Sequence, residues 1–286
     1  MSGKTTTTTT LIIHGEHLNG SLRAVLGGWI DEGELIGLHG YHRLVTRRPV
    51  SDADLVALRQ GAGIDINRLP AGIDTKRMRL VVSDMDSTLI GIECIDEIAD
   101  YLSVKPQVAA ITESAMRGEI DFETSLRRRV TLLAGLEAET LERVYEERLF
   151  LNPGAEALLE SLRLRGIRFA LVSGGFTFFT DRLKARLGLD YTLANHLEIR
   201  EGRLTGKVEG GIVGAQAKAD LLDRLCDELE ISHAQTIAMG DGANDLLMME
   251  RAGLSVAYHA KPTVQERATC ALNYGGLDSA LHLIEG

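Results

Sequence analysis

Cysteine is scarce. Only Cys94, Cys226 and Cys270 are present, an odd number at wide spacing with no CxxC pair. Neither a disulfide framework nor a zinc site is expected, and a reducing, cytoplasmic setting fits. Long apolar runs are also missing: none approaches the ~18 residues of a membrane span. The opening MSGKTTTTTT carries one lysine and six threonines but no apolar segment, so it does not read as a secretory signal. Met1–Thr10 is expected to be a disordered tail. Its threonine run is the one low-complexity tract, and no tandem repeat is found. Positive charge is short as well. Lys plus Arg is 31 against 41 Asp plus Glu, a formal charge of −10. A nucleic-acid protein needs a basic footprint, so that class is disfavoured. An anionic substrate stays open, provided local positive charge or a metal meets it.

What is present is an ordinary globular composition, 44% apolar and 25% charged over 286 residues. That length suggests one large domain or two unequal ones, with ample core. From Leu11 to about Ile66, short apolar runs alternate with helical stretches. One such helix is capped by Ser51–Asp52 and carries Leu55, Val56 and Leu58. Asn67–Arg79 is polar, contains Pro70 and Gly72, holds four basic residues, and reads as a linker. A boundary near residue 77 divides a small α+β module (1–77) from the remainder (78–286).

Beyond the boundary, strand and helix alternate. Leu80–Ser83, Arg168–Val172, Thr236–Met239 and a last strand, Leu254–Ala257, are short continuous apolar runs. Helices are expected over Glu93–Tyr101, Gln107–Met116 and Phe122–Leu133. Another is opened by Asn152 as N-cap and Pro153 at its first position, with apolar face Ala155, Leu158, Leu159 and Leu162, closed by Gly166. A hairpin is expected over Leu193–Ile212 about Glu201–Gly202. The pattern implies an α/β fold: a Rossmann-like parallel sheet with helices on both faces. Ligands of such sheets bind at the strands' carboxyl ends. Those ends are DMDST, SGGF and GDGAND.

Asp84 and Asp86 lie two residues apart where a strand ends. The chain turns there, so their aim is undetermined. Close carboxylates raise each other's pKa unless a cation lies between them, and a hard divalent ion such as Mg²⁺ takes oxygen ligands. Asp241, with Asn244 and Asp245 nearby, can join that set. Ser173-Gly174-Gly175 offers a hydroxyl and N–H groups at a helix start, an anion cradle. Lys218 opens an amphipathic helix off its apolar stripe, where the helix dipole does not favour it. Together these parts suit phosphoryl transfer: cations neutralise a phosphate and a carboxylate attacks phosphorus to form an aspartyl-phosphate.

DMDSTLI, SGG, the downstream lysine and GDGAND, in this order, resemble the haloacid-dehalogenase-like phosphatase superfamily over about residues 79–286, and most closely its phosphoserine phosphatases. The resemblance implies Asp84 as nucleophile and Asp86 as acid, then base. It implies Mg²⁺ on the Asp84 side chain, the Asp86 carbonyl and Asp241, with Asp245 in support. Ser173, Gly174 and Lys218 would bind phosphate, with Asn244 nearby. The insert after the first core strand, about residues 92–151, would be a helical cap able to exclude water. IECIDEIAD resembles the signature in which Glu93 meets a substrate ammonium. FETSLRRRV resembles a second signature. Periodicity cannot choose among Arg127, Arg128 and Arg129; the motif favours Arg129 as the partner of a substrate carboxylate. Met116 and Phe122 would cover the substrate.

The function implied is Mg²⁺-dependent hydrolysis of phosphoserine, the last step of serine biosynthesis, by a cytoplasmic enzyme. The partner implied is that small molecule, without nucleic acid or membrane, and with a homodimer left open. Competing readings are a phosphotransferase to a hydroxyl such as homoserine, a phosphatase of another small metabolite, and a phosphorylatable switch. The last class lacks a catalytic carboxylate two residues after the acceptor. The first 77 residues carry no chemical motif.

Overall fold

Apolar residues of the first core strand, Leu80–Ser83, alternate between two hydrophobic clusters: Leu80 and Val82 face one, Val81 the other. A strand that buries both faces needs helices above and below, and this requirement organises the chain. The structure is a computed structural model that describes residues 8–285. Residues 1–7 of the expected tail lie outside the described residues. Thr9 and Thr10, also placed in the tail, instead begin a strand.

The first unit is β1 (Thr9–His14), α1 (Gly20–Ile30), β2 (Gly33–Leu38), β3 (Tyr41–Thr46), α2 (Asp52–Ala62) and β4 (Ile66–Arg68). Its four strands order as β2-β3-β1-β4, with antiparallel neighbours. This is a split β-α-β arrangement. Asn19 caps α1, and Ser51 with Asp54 forms a capping box on α2. Leu11, Ile13, Leu22, Leu26, Leu44 and Ile66 form a separate core, while Ile12 points into the larger one.

The expected linker starts too early. Asn67 and Arg68 finish β4, and Asn67 is fully buried. Its amide donates to Ala271 O at 2.9 Å and accepts Ala271 N–H at 2.8 Å, the bonding of a sheet partner. Asp65 accepts from the N–H groups of Asn273 and Tyr274. The polar residues thus dock the first unit on the second.

The second sheet contains β5 (Leu80–Ser83), β6 (Arg168–Phe176), β7 (Tyr191–Arg200), β8 (Arg203–Glu209), β9 (Thr236–Gly240), β10 (Leu254–Tyr258) and β11 (Cys270–Leu272). The order is β11-β10-β9-β5-β6-β7-β8, parallel except for the β7–β8 hairpin. Glu201 and Gly202 make its turn, both at positive φ. β10 is therefore not the last strand: β11 adds a further parallel one. It is too short for its apolar character to stand out.

Between β5 and β6 the chain inserts α3 (Cys94–Asp100), α4 (Lys105–Met116), α5 (Phe122–Thr131) and α6 (Glu139–Glu147) as a cap, then α7 (Ala155–Leu164). The remaining helices are α8 (Thr177–Leu187), α9 (Ala215–Glu228), α10 (Leu246–Arg251), α11 (Pro262–Arg267) and α12 (Leu281–Glu285). The cap shares one hydrophobic cluster with the core, through Ile95, Leu126 and Val144 on its side and Met85, Leu89 and Ile90 on the other.

Helix α7 buries its predicted face, including Leu158 and Leu162, each contributing about 1.5–3 kcal/mol. Its N-cap, however, is Gly154 rather than Asn152. The Asn152 side chain is used elsewhere: it donates to the Thr88 carbonyl at 2.8 Å and to Ile90 O at 3.2 Å. It therefore fastens the turn after β5. The glycines after β6 also differ from expectation. Ser173-Gly174-Gly175 continue the strand, and α8 starts only at Thr177. A register break between Val172 and Phe176 frees the segment from regular pairing with β7. Among the described residues no helix is long and apolar enough to cross a membrane, and the three cysteines are free and buried.

Candidate active site

The chain leaves β5 toward β6 on one side and later toward β9 on the other, so the carboxyl end of β5 is a topological switch point. The Asp84 N–H donates to Met239 O at 2.9 Å and ends the ladder with β9. Its Oδ1 accepts from Lys218 Nζ at 2.8 Å and from the Met85 N–H at 2.7 Å. Asp86 aims elsewhere. Its Oδ1 accepts the Cys94 N–H at 2.9 Å, at the start of the cap, and its Oδ2 accepts from Ser173 Oγ at 3.2 Å. The turn between strand and cap separates them, with Ser87 left-handed at φ 58°.

Lys218 explains why a lysine stands off the apolar stripe of α9. It is fully buried, with Asp84 and Asp245 each 2.8 Å from Nζ. Burial by itself would lower its pKa, but Asp245 and Asp84 outweigh that and hold the ammonium above its ordinary range. Asp245 also accepts the Gly242 N–H at 3.1 Å. Gly240 permits this approach, since a Cβ there would lie 2.4 Å from the Asp245 carboxylate carbon.

One ammonium is too little cation for the carboxylates gathered here. Burial, then the charge of Asp245, pushes the Asp84 carboxyl up, and Lys218 only partly opposes it. Burial likewise raises Asp86 against its Cys94 and Ser173 hydrogen bonds. Asp241 is pushed up to about 6 by burial and by Asp245. Asp84, Asp241 and Asp245 each place a carboxylate oxygen within 4.8 Å of the others. A cluster of hard oxygen donors, short of positive charge, fits a divalent cation.

Above this floor lies a cavity of about 570 Å³ between core and cap. Every predicted site residue except Lys218 and Asp245 lines it, and those two lie buried directly behind Asp84. From the cap come Glu93, Met116, Phe122 and Arg129; from the strand ends come Asp84, Asp86, Ser173, Gly174, Asp241 and Asn244. Phe122 packs on Gly174, where a Cβ would fall 2.8 Å from the ring. Met116 is an exposed rim residue. Glu93 accepts from Ser87 Oγ at 2.7 Å. Water reaches it through the mouth of the cavity, yet the surrounding protein and the charge of Asp86 push its carboxyl up to about 7.

The three adjacent arginines part ways. Arg127 pairs with Glu123 one turn back on α5, and only Arg129 lines the cavity. Arg129 Nε is buried without a hydrogen-bond partner. A buried unpaired donor is costly, which makes this guanidinium a waiting site for an anion.

The profile of the haloacid dehalogenase-like hydrolases matches residues 81–250. The chain belongs to this family. A phosphoserine phosphatase from Polaromonas sp. is 52% identical over 228 residues, covering 78% of this chain and 97% of the relative. The solved structure of a probable phosphoserine phosphatase from Vibrio cholerae superposes with a TM-score of 0.82 at 37% identity, covering all of this chain and 88% of that one. A structure titled as a phospho-aspartyl intermediate analogue of phosphoserine phosphatase gives 0.68 at 41% identity over 72% and 98%.

Four residues of this hydrolase site escaped the sequence reading. Thr88 donates to Asp241 at 3.3 Å, Cys94 donates to Asp86, and Lys261 lines the cavity. The fourth, Asn195 on β7, is buried. It donates to Gly174 O at 2.8 Å and accepts the Val213 N–H at 2.8 Å. An asparagine inside an otherwise alternating strand was the available signal. Asn195→Ala strands two buried backbone groups, so urea unfolding should show a loss of about 1–3 kcal/mol, with a lower kcat as the Ser173–Gly175 segment loosens.

Proposed function

We propose that the protein hydrolyses O-phospho-L-serine to L-serine and phosphate through a phosphoaspartate on Asp84, with Mg²⁺ as the divalent cation, as the last step of serine biosynthesis. The observation that carries this reading is the pairing, in one cavity, of the Asp84–Lys218 end with a cap end that offers Glu93 and Arg129, whose Nε is buried without a partner. Phosphoserine has one ammonium and two anionic groups. Each finds an opposite charge, as removal from water requires.

In the first step an Asp84 carboxylate oxygen attacks phosphorus, and the bond to the serine oxygen breaks. Asp86, whose buried carboxyl favours the protonated form, gives its proton to the departing alkoxide. In the second step Asp86 takes a proton from water, the water oxygen attacks phosphorus, and the Asp84–phosphorus bond breaks. Ser173 Oγ and Lys218 steady the phosphoryl oxygens. Ser173 also hydrogen-bonds Asp86, which keeps that carboxyl beside the reacting centre. The cation, held by Asp84 and Asp241 with Asp245 behind them and by the Asp86 carbonyl, would neutralise phosphoryl charge and keep Asp84 ionised. Phe122 and Met116 of the cap cover the bound substrate and limit water.

The division into a module of residues 1–77 and a phosphatase domain of residues 78–286 is part of the same proposal. Separate sheets and the separate core around Leu11, Leu26 and Leu44 support it.

The test is phosphate release from O-phospho-L-serine, phosphothreonine and a sugar phosphate, with and without Mg²⁺. Phosphoserine should be preferred and Mg²⁺ required. Arg129→Ala should raise KM for phosphoserine and lower kcat/KM by about 10²-fold, the worth of a charge-assisted bidentate pair, while sparing the slow turnover of a phosphate ester without a carboxylate. Mg²⁺-dependent release from the sugar phosphate but not from phosphoserine would overturn the substrate assignment.

A further inference from the structure

The cavity wall carries five carboxyl groups, from Asp84, Asp86, Glu93, Asp96 and Asp241, against two basic side chains, Arg129 and Lys261. Lys218 adds no free charge because Asp84 and Asp245 flank it. A doubly anionic substrate must therefore pass a wall on which acidic side chains outnumber basic ones. The exception at the core rim is Lys261. It follows β10, and its N–H donates to Asp241 O at 3.2 Å, which ties its backbone to the loop that carries Asp241. Its side chain is exposed and crosses the mouth of the cavity, with Nζ 4.0 Å from Met116 Sδ on the cap. No carboxylate lies within ion-pair distance of this ammonium among the described residues, and thioether sulfur is only a weak acceptor.

We propose that Lys261 is an affinity-determining residue of this site, the rim cation that draws the phosphate of the substrate past Met116 at the mouth and on toward the Asp84 end. The proposal rests on the pocket taking a phosphomonoester. An uncompensated charge at the mouth of a low-dielectric cleft focuses the field along the entry path, and a rim charge acts on association and on its salt dependence more than on chemistry. Lys261 does not touch the reacting atoms, so kcat should barely respond.

The experiment compares wild type, Lys261→Met and Lys261→Arg in the full chain with Mg²⁺, measuring kcat and KM for phosphoserine from low to high ionic strength. Inorganic phosphate serves as a competing ligand. Methionine keeps an unbranched apolar side chain of similar length and removes the charge together with the weak Nζ donor to Met116. The expected result is a rise of about 3–10-fold in KM and in the inhibition constant of phosphate at low salt, with kcat within about twofold, a flatter salt dependence of kcat/KM, and near wild-type behaviour in Lys261→Arg. Equal salt dependence in Lys261→Met and wild type would overturn the proposal. So would a loss confined to kcat, or a fall in thermal stability that arginine does not rescue. A wild-type enzyme inactive on every phosphomonoester would instead overturn the function on which the proposal rests.

Discussion

Asp84→Asn is expected to lower phosphate release from phosphoserine by on the order of 10⁴-fold or more, the scale seen when a covalent nucleophile is removed. The amide cannot supply the attacking oxygen anion, and no neighbouring carboxylate can replace it. Asp86 faces Cys94 and Ser173, and Asp245 is fully buried behind Lys218. The fold should survive. The Asp84 carboxyl is held above its ordinary range by burial and by Asp245, so its ionised form is not what stabilises the native state. The sign follows from linkage: a carboxyl with a raised folded pKa favours folding below its unfolded pKa and loses that contribution as pH rises through the folded value. At neutral pH a neutral amide should cost little. Single-turnover phosphate release beside a thermal melt separates the two effects, and a folded variant that still releases phosphate near the wild-type rate would contradict the assignment of Asp84.

Lys218→Met is expected to damage both activity and stability. Removing one partner of a buried ionic group leaves uncompensated charge, at about 3–5 kcal/mol. Here two carboxylates, Asp84 and Asp245, would face each other without the ammonium 2.8 Å from each. The loss should be largest in metal-free protein and smaller in Mg²⁺, because an added cation relieves the same repulsion. Wild type should gain less from Mg²⁺. Activity should fall by about 10²–10³-fold, the worth of one preorganised electrostatic group at a developing charge. Melting curves with and without Mg²⁺ read the first effect and kcat/KM the second. An unchanged melting temperature in metal-free Lys218→Met would show that the buried charge triad does not hold the site together.

The core of the fold was legible because its strands are short continuous apolar runs, three of which end in the polar segments DMDST, SGGF and GDGAND. Asp84, Ser173 and Asp241 had to meet once the sheet was parallel. What escaped depended on contacts between distant segments. Asn152 has the chemistry of an N-cap, but the turn after β5 offers carbonyls that compete for its amide. Asn67 looks like a linker residue until β11 is placed beside it. The SGG segment is glycine-rich because Phe122 and Asp86 crowd it, with a Gly175 Cβ falling 2.8 Å from Asp86 Oδ2. It does not open a helix. Arg127, Arg128 and Arg129 are equivalent in composition, and only the tertiary position of α5 distinguishes the one whose Nε is buried and unpaired. Lys218 stood out locally because nothing on its own helix explained it.

The most direct measurement is an acid quench of the enzyme turning over phosphoserine labelled in its phosphoryl group, followed by peptide mapping. Label should appear on the peptide containing Asp84, be released by hydroxylamine as an acyl phosphate is, and accumulate in Asp86→Asn, where water is no longer activated. Rapid release of labelled phosphate with no label on that peptide, in either protein, would contradict the phosphoaspartate route and with it the role of Asp84.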